Sequence, residues 1–335
     1  MISGLVLSVL LSGVADDPAA AVLVGVRTSG QYTAILFSPS ATRAFSALSR
    51  RGLLALTDVG PMFLDVVPNC DSRSADRFLV IGPADEAQKH VRCLRGRVDG
   101  VGAGRADVSV LFVSSRYISV ARSGENFNGR GWWSLDTRRW GQGTPVPMTR
   151  ALPRHVVAAI DQSASARRKA GIAEALREGM VGDADPCWNG DASRTSWGIV
   201  RSDRRWVVLA QLDSECSTNW YETRVPLPGE IVDDVQNDKS PALVSGLPTP
   251  TQDLAVSPDG GLAVTIAGSS VALRSLKDGG AGGVLAEARI GEWREEEPVH
   301  REYDDHRDAM VMVQWLGNKA LARWSDRLSQ AFQHE

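Results

Sequence analysis

Residues 108–141 read VSVLFVSSRYISVARSGENFNGRGWWSLDTRRWG, and this stretch decides the fold class. Alternation over Val108, Val110 and Phe112, then over Tyr117, Ser119 and Ala121, turns one face of each segment inward and one outward. Gly124, Gly129 and Gly131 supply turn positions where φ can be positive. The stretch therefore predicts two or three β-strands. It contains three tryptophans and no general base beside a nucleophile, which points to a structural or binding surface.

Short strands bounded by turn residues recur on both sides of it. Residues 21–26 and 32–37 read as strands, and Ser38-Pro39 ends the second. Residues 41–56 fit either a helix or a strand pair. Residues 63–67 and 78–81 are apolar and rich in β-formers. One helical excursion is expected near 153–180, opened by Pro153 and carrying Val156, Ile160, Ile172, Leu176 and Met180 at spacings of four. Residues 197–200 and 206–212 predict a hairpin, and 221–227 a further strand. Residues 228–250, rich in Pro, Asp, Ser and Gly, are the best candidate boundary. The organisation expected is a signal segment over 1–15, a β-rich unit over 16–234 and a second β segment over 250–335, packed with the first or separate from it.

The C-terminal segment has its own texture. Residues 254–264, LAVSPDGGLAV, are an apolar strand, a Ser-Pro-Asp-Gly turn and another apolar strand. Residues 271–276 continue the pattern, and 279–283 predict a glycine-rich connection. Gly317-Asn318 is a two-residue hairpin signal between 311–315 and 320–324. Such units resemble the blades of β-propellers, most closely over 252–276, next over 310–324, and least at the N-terminus. The fold class expected is mainly β with propeller-like strand units. An α+β protein with an antiparallel sheet is the alternative.

The 335 residues carry a net charge of -3 and 43% hydrophobic residues, the composition of a globular domain without the basic face that nucleic acid requires. The apolar run 5–11, the small residues Gly13-Val14-Ala15 and then Asp16-Asp17-Pro18 suit a signal peptide, although no Lys or Arg precedes the run. No later run approaches the roughly 18 apolar residues of a spanning helix, so no integral membrane domain is expected. Cys70, Cys93, Cys187 and Cys216 lack zinc-ligand spacing. Their even count suits two disulfides in an oxidising compartment, and sequential pairing closes each loop locally. These features predict a periplasmic or secreted protein.

The central stretch carries a second resemblance. Tyr117-Ile118-Ser119-Val120, the run 123–129 and then Trp133-Ser134-Leu135-Asp136-Thr137-Arg138-Arg139 resemble a domain of unknown function. That domain ends a lysozyme-sensing anti-sigma factor and accompanies some peptidoglycan deacetylases. The match spans about residues 105–234 and departs where the family has a histidine and this chain has residues 128–132, NGRGW. The resemblance implies an envelope binding module, and any role of that histidine is not carried over.

No nucleophile elbow, zincin helix, phosphate loop or complete dinucleotide fingerprint appears, and no cofactor is called for. Asp183, Asp185, Asn189 and Asp191 could form an oxygen-rich calcium loop, but their spacing departs from the EF-hand pattern. Residues 295–308, EEEPVHREYDDHRD, gather carboxylates with His300 and His306. Trp132 and Trp133, adjacent on a strand, must face opposite sides. With Tyr117, Asn126 and Asn128 they are the candidate binding residues. The function expected is non-catalytic binding of cell-wall material or of a wall hydrolase such as lysozyme, as inhibitor, sensor or immunity partner. A metal-assisted hydrolase built on 295–308 and a propeller scaffold for protein assembly are the alternatives.

Overall fold

The computed structural model describes residues 18–40, 44–68, 77–83, 107–123, 131–142, 145–177, 197–202, 204–212, 221–227, 232, 247, 250–277, 280–291 and 308–333. In chain order the strands are β1 (Ala19–Thr28), β2 (Gln31–Pro39), β3 (Phe45–Arg51), β4 (Leu53–Thr57), β5 (Gly60–Pro68) and β6 (Arg77–Pro83). Then come β7 (Asp107–Val113), β8 (Tyr117–Ser123) and β9 (Gly131–Asp136), and a 3-10 turn over Thr137–Gln142. Helices α1 (Met148–Ala151) and α2 (Arg154–Arg177) precede β10 (Trp197–Ser202), β11 (Arg205–Leu212) and β12 (Tyr221–Pro226). The chain continues through β13 (Asp253–Val256), β14 (Leu262–Ala267), β15 (Ser270–Lys277), β16 (Gly280–Arg289) and β17 (Ala309–Gly317) to helix α3 (Asn318–Gln333). The protein is mainly β, built from several antiparallel sheets.

The largest sheet has the order β3-β2-β1-β17-β7-β8-β9. Its pairs are antiparallel except β17 with β7, which run parallel with Met312 opposite Val113. The strand near the C-terminus thus lies beside the first strand, from Ala19 opposite Gly317 to Arg27 opposite Ala309. Gly25 permits this approach, because a Cβ there would stand 2.7 Å from Leu53 Cδ2 and 2.9 Å from Met312 Cβ. Three smaller sheets have the orders β4-β5-β6, β10-β11-β12 and β13-β14-β15-β16.

Both faces of the large sheet are covered, which is why β1 and β2 read as continuous apolar runs. Leu23 and Leu36 point into one core with Leu54 and Leu64 of the β4–β6 sheet and Leu328 and Phe332 of α3. Val24, Ile35 and Phe37 point into another, with Val264 and Leu273 of the β13–β16 sheet. A third core joins Phe112 to Trp197, Trp206, Val156 and Ile160 beneath α2. Each such side chain stabilises the fold by about 1.5–3 kcal/mol relative to exposure.

Of the ambiguous residues 41–56, residues 45–51 lie in β3 and 53–56 in β4, with Gly52 alone between them, and residues 41–43 lie outside the described residues. Gly52 has φ +77, and a Cβ on it would meet the Phe63 ring at 2.5 Å. The Ser-Pro-Asp-Gly turn forms as expected: the Ser257 hydroxyl donates to Asp259 Oδ1, Leu262 N–H donates to Ser257 Oγ, and Gly260 takes φ +71. The helix expected near 153–180 is α2 over Arg154–Arg177, whose first bonds run from Val156 and Val157 N–H to the Pro153 carbonyl at 3.0 and 3.1 Å; residues 178–180 lie outside the described residues.

Two expectations are corrected. Residues 279–283 do not merely connect strands, because Gly280 begins β16 and pairs with Lys277 of β15. Residues 320–324 are not the second strand of a hairpin; they lie in α3, so the helical excursion near 153–180 is not the only helix. Leu321, Trp324, Leu328 and Phe332 recur at three and four residues, and a helix puts all four against one core. That gain outweighs the local Gly-Asn turn preference. Among the described residues no helix is long and apolar enough to cross a membrane.

Candidate functional site

The sheets meet through buried polar side chains that bond the backbone of a neighbouring sheet. Gln314 of β17 accepts from Leu56 N–H at 2.8 Å and donates to Leu56 O at 2.8 Å. Within the large sheet itself, Val110 N–H of β7 donates to the Tyr32 hydroxyl of β2 at 2.7 Å, and Arg27 of β1 donates to Val110 O at 3.1 Å. The hydroxyls of Ser119 and Ser134 lie 2.8 Å apart. Ser119 Oγ accepts from Ile199 N–H at 2.9 Å, and Ser134 Oγ donates to Trp197 O at 3.3 Å. Arg201 of β10 pairs with Asp253 of β13 at 3.1 Å, donates to Leu254 O and stacks over Trp206 at 4.8 Å. Every one of these polar groups is buried or partly buried and hydrogen-bonded, as low-dielectric surroundings require.

A polar, accessible corner surrounds Tyr117. The turn from β7 to β8 is closed by Ser114, whose Oγ accepts from Arg116 N–H and Tyr117 N–H at 3.3 and 3.1 Å. Thr137 ties the end of β9 to that turn, its N–H donating to Arg116 O at 2.9 Å and its hydroxyl to Ser115 O at 2.8 Å. Asp136 holds Arg138 through two parallel bonds of 3.0 and 2.9 Å and also accepts the Arg138 backbone N–H. Arg116, Arg138, Arg139 and Arg150 are all exposed around a half-buried Tyr117. The Tyr117 hydroxyl donates to Ala151 O at 3.4 Å, and its ring meets Trp197 edge-on at 6.4 Å.

Electrostatics fix the protonation states here. Burial pushes the Tyr117 phenol above its ordinary value, and the Asp136 carboxylate raises it further against Arg116, Arg138 and Arg150. The phenol therefore keeps its proton at neutral pH and remains a donor. The Arg138 side-chain bonds hold the Asp136 carboxyl below the usual carboxylate range. The corner offers fixed positive charge, an aromatic edge and one committed anion. That is an arrangement for recognising a carboxylate- or phosphate-bearing ligand.

The structure separates two of the expected binding residues. Tyr117 packs with the core beneath α2, whereas the half-buried Trp133 packs against the core shared with β4–β6. The two lie on opposite faces of the sheet, because Tyr117 pairs with Asp136 and Trp133 with Val120. Trp132 lies in β9 opposite Ala121. Asn126, Asn128, Asp183, Asp185, Asn189 and Asp191 fall outside the described residues, as do Cys70, Cys93, Cys187, Cys216, His300 and His306. Asp308, at the end of the acidic run, accepts from Ser29 N–H at 2.6 Å. Among the described residues no three His, Cys, Asp or Glu side chains gather as metal ligands.

Sequence reasoning missed the arginines. Arg116 sits in a turn, Arg138 is the second residue of the 3-10 turn and Arg150 lies in α1. Only the fold brings the three together, although Arg138-Arg139 beside a strand end was a local signal. No family model matches the chain, and no curated protein matches it.

Proposed function

We propose that this chain is a non-catalytic binding protein of the cell envelope. It works in the periplasm or outside the cell and takes an acidic, peptidoglycan-type ligand at the Tyr117 corner. The observation that carries this reading is the setting of Arg116, Arg138 and Arg150 around a phenol that stays protonated. Carboxylates of wall peptides and of acidic sugars suit guanidinium donors, and a sugar face suits the edge of an aromatic pair. The Asp136–Arg138 bonds orient one guanidinium before any ligand arrives, which lowers the ordering cost of binding.

The sheets, in this reading, are propeller-like units. Pairing of β17 with β1 joins the two ends of the described chain, as a closing blade does. The β13–β14 hairpin carries the Ser-Pro-Asp-Gly turn typical of such units, and β3 packs against β16 at the other edge of the same sheet. Residues 1–15 act as a signal segment, and the four cysteines pair as Cys70–Cys93 and Cys187–Cys216 in the oxidising compartment.

Co-sedimentation with purified sacculi tests the function. The parent protein is expected to pellet with sacculi, and Arg116→Gln/Arg150→Gln to bind about tenfold more weakly or worse, since hydrogen bonds between charged groups contribute most. A parent protein that stays in the supernatant overturns the reading. So does a double variant that pellets equally well.

A further inference from the structure

The face of α3 that turns away from the core has a composition of its own. Ala320, Leu321, Trp324 and Leu328 pack against the core, and Lys319, Arg323 and Arg327 follow at steps of four along one flank, all exposed. Steps of four place successive cations on the same side of the helix, about 6 Å apart. Two of them are held by the indole between them: the Arg323 guanidinium lies 4.9 Å and the Arg327 guanidinium 5.5 Å from the Trp324 ring centre. Asp326 is the single acid among residues 318–333, so this face is net positive in a chain whose formal charge is -3.

An apolar prominence stands beside the cations. Arg327 reaches the β4–β5 hairpin, its Nη1 lying 3.9 Å from where a Cβ on Gly60 would sit. The neighbouring residue at the tip of that hairpin is Val59, 58% exposed and the most exposed large hydrophobic side chain described. A tightly turned hairpin tip with an outward valine gains nothing from water.

From this juxtaposition we infer that the α3 flank and the Val59 tip form a docking surface for an anionic phospholipid bilayer. The cations complement the headgroup charge. The half-buried Trp324 is amphipathic and suits headgroup depth, and Val59 enters the acyl boundary. A soluble polyanion would use the charge but leave Val59 in water, whereas an anionic bilayer uses the charge, the indole and the valine together, and the bilayer is the occupant proposed. The inference is independent of the Tyr117 corner, which draws on Arg116, Arg138 and Arg150 instead.

The test is flotation of the full-length protein with vesicles of pure phosphatidylcholine, and of phosphatidylcholine with about 30% phosphatidylglycerol. Variants Arg323→Gln/Arg327→Gln, Val59→Asp and the distant control Arg289→Gln/Arg154→Gln are compared, with thermal melts to check folding. The anionic vesicles are expected to bind the parent more tightly than the neutral ones, and added salt to weaken the difference. Removing the two arginines is expected to cost about 30-fold in partitioning onto anionic vesicles. Val59→Asp is expected to weaken it too, with the control unchanged. Equal binding to both vesicle types overturns the inference, as does a loss in the control as large as in the double variant. Full competition by soluble polyglutamate, with Val59→Asp behaving as parent, overturns the bilayer in favour of an acidic polymer.

Discussion

Replacing Gln314 by leucine tests whether the sheets are joined by side-chain clamps. Gln314 is 3% exposed and spends both ends of its amide on one residue of another sheet, accepting from Leu56 N–H and donating to Leu56 O. Within its own sheet Leu56 stands opposite Pro61, one pair beyond the Thr57–Gly60 turn, where antiparallel alternation points its N–H and C=O away from β5 and toward β17. Leucine fills nearly the same volume, and the cost is then the desolvation of two stranded backbone groups rather than a cavity. At about 1–3 kcal/mol for each group the loss is roughly 2–6 kcal/mol, a large share of the ~5–15 kcal/mol that holds a domain folded. Urea unfolding followed by circular dichroism reads this as a midpoint lowered by about 0.7–2 M at an unchanged slope of about 3 kcal/mol/M. Gln314→Glu adds a second readout. Its buried carboxyl has a raised folded-state value, so the variant is weak at pH 7, where the carboxylate faces Leu56 O. It recovers as pH falls and the neutral acid regains a donor. A leucine variant within 1 kcal/mol of the parent, given the ~1–3 kcal/mol expected per stranded group, refutes the clamp. A glutamate variant with the parent's pH dependence refutes it as well.

Three further outcomes are expected. Asp253→Ala strands the Arg201 guanidinium, which lies 3% exposed against Trp206, and is expected to cost about 3–5 kcal/mol in chemical unfolding. The Arg201→Met/Asp253→Leu pair should recover much of that loss. Ser119→Ala leaves Ile199 N–H without its 2.9 Å acceptor and should lower stability by about 1–3 kcal/mol, while Ser119→Thr retains the hydroxyl and most of the stability. Arg138→Gln removes the bonds that hold the Asp136 carboxyl below its ordinary value. A depressed carboxyl contributes stability above its unfolded value and loses it as pH falls through the folded one. The melting-temperature gap between parent and Arg138→Gln should therefore be open at pH 7 and close below about pH 4. A gap that stays constant to pH 2 contradicts that origin.

Strand positions were legible because burial on one or both faces writes itself into local sequence. The runs at 21–26, 32–37, 63–67, 197–200 and 206–212 all lie within strands. Partners were not legible. Nothing within residues 309–317 says that they pair with residues 19–27, because that register is paid for by packing between segments nearly a chain length apart. The last helix was obscured by Gly317-Asn318, a strong local turn signal that a sixteen-residue amphipathic repeat overrides. At the corner, Tyr117 was legible as a strand residue with an aromatic surface. Arg150 was not, since it reaches Tyr117 only through α1 and the bond to Ala151.

The polar residues inside the strands carry a consequence for binding. Gln314, Ser119 and Ser134 break the apolar pattern of β17, β8 and β9 and would each be unfavourable if left unpaired. Each instead bonds backbone groups that another sheet turns toward it, Leu56 in one case and Trp197 and Ile199 in the other. A ladder would fuse the sheets into one and force a common twist. A side-chain clamp satisfies the same groups while letting neighbouring sheets meet at an angle. The interior polar chemistry is then committed to architecture, which leaves the turns and helix surfaces for the binding proposed above. The two accessible cationic features described, the Tyr117 corner and the α3 flank, both lie at turns or helix surfaces. They are bridged by the β4–β5 hairpin, which reaches Arg327 at Gly60 and Ser115 at Asp58. Substituting Arg116 with Arg150, or Arg323 with Arg327, should therefore change binding without lowering the urea midpoint, whereas substituting the clamps should lower the midpoint and change binding only through folding.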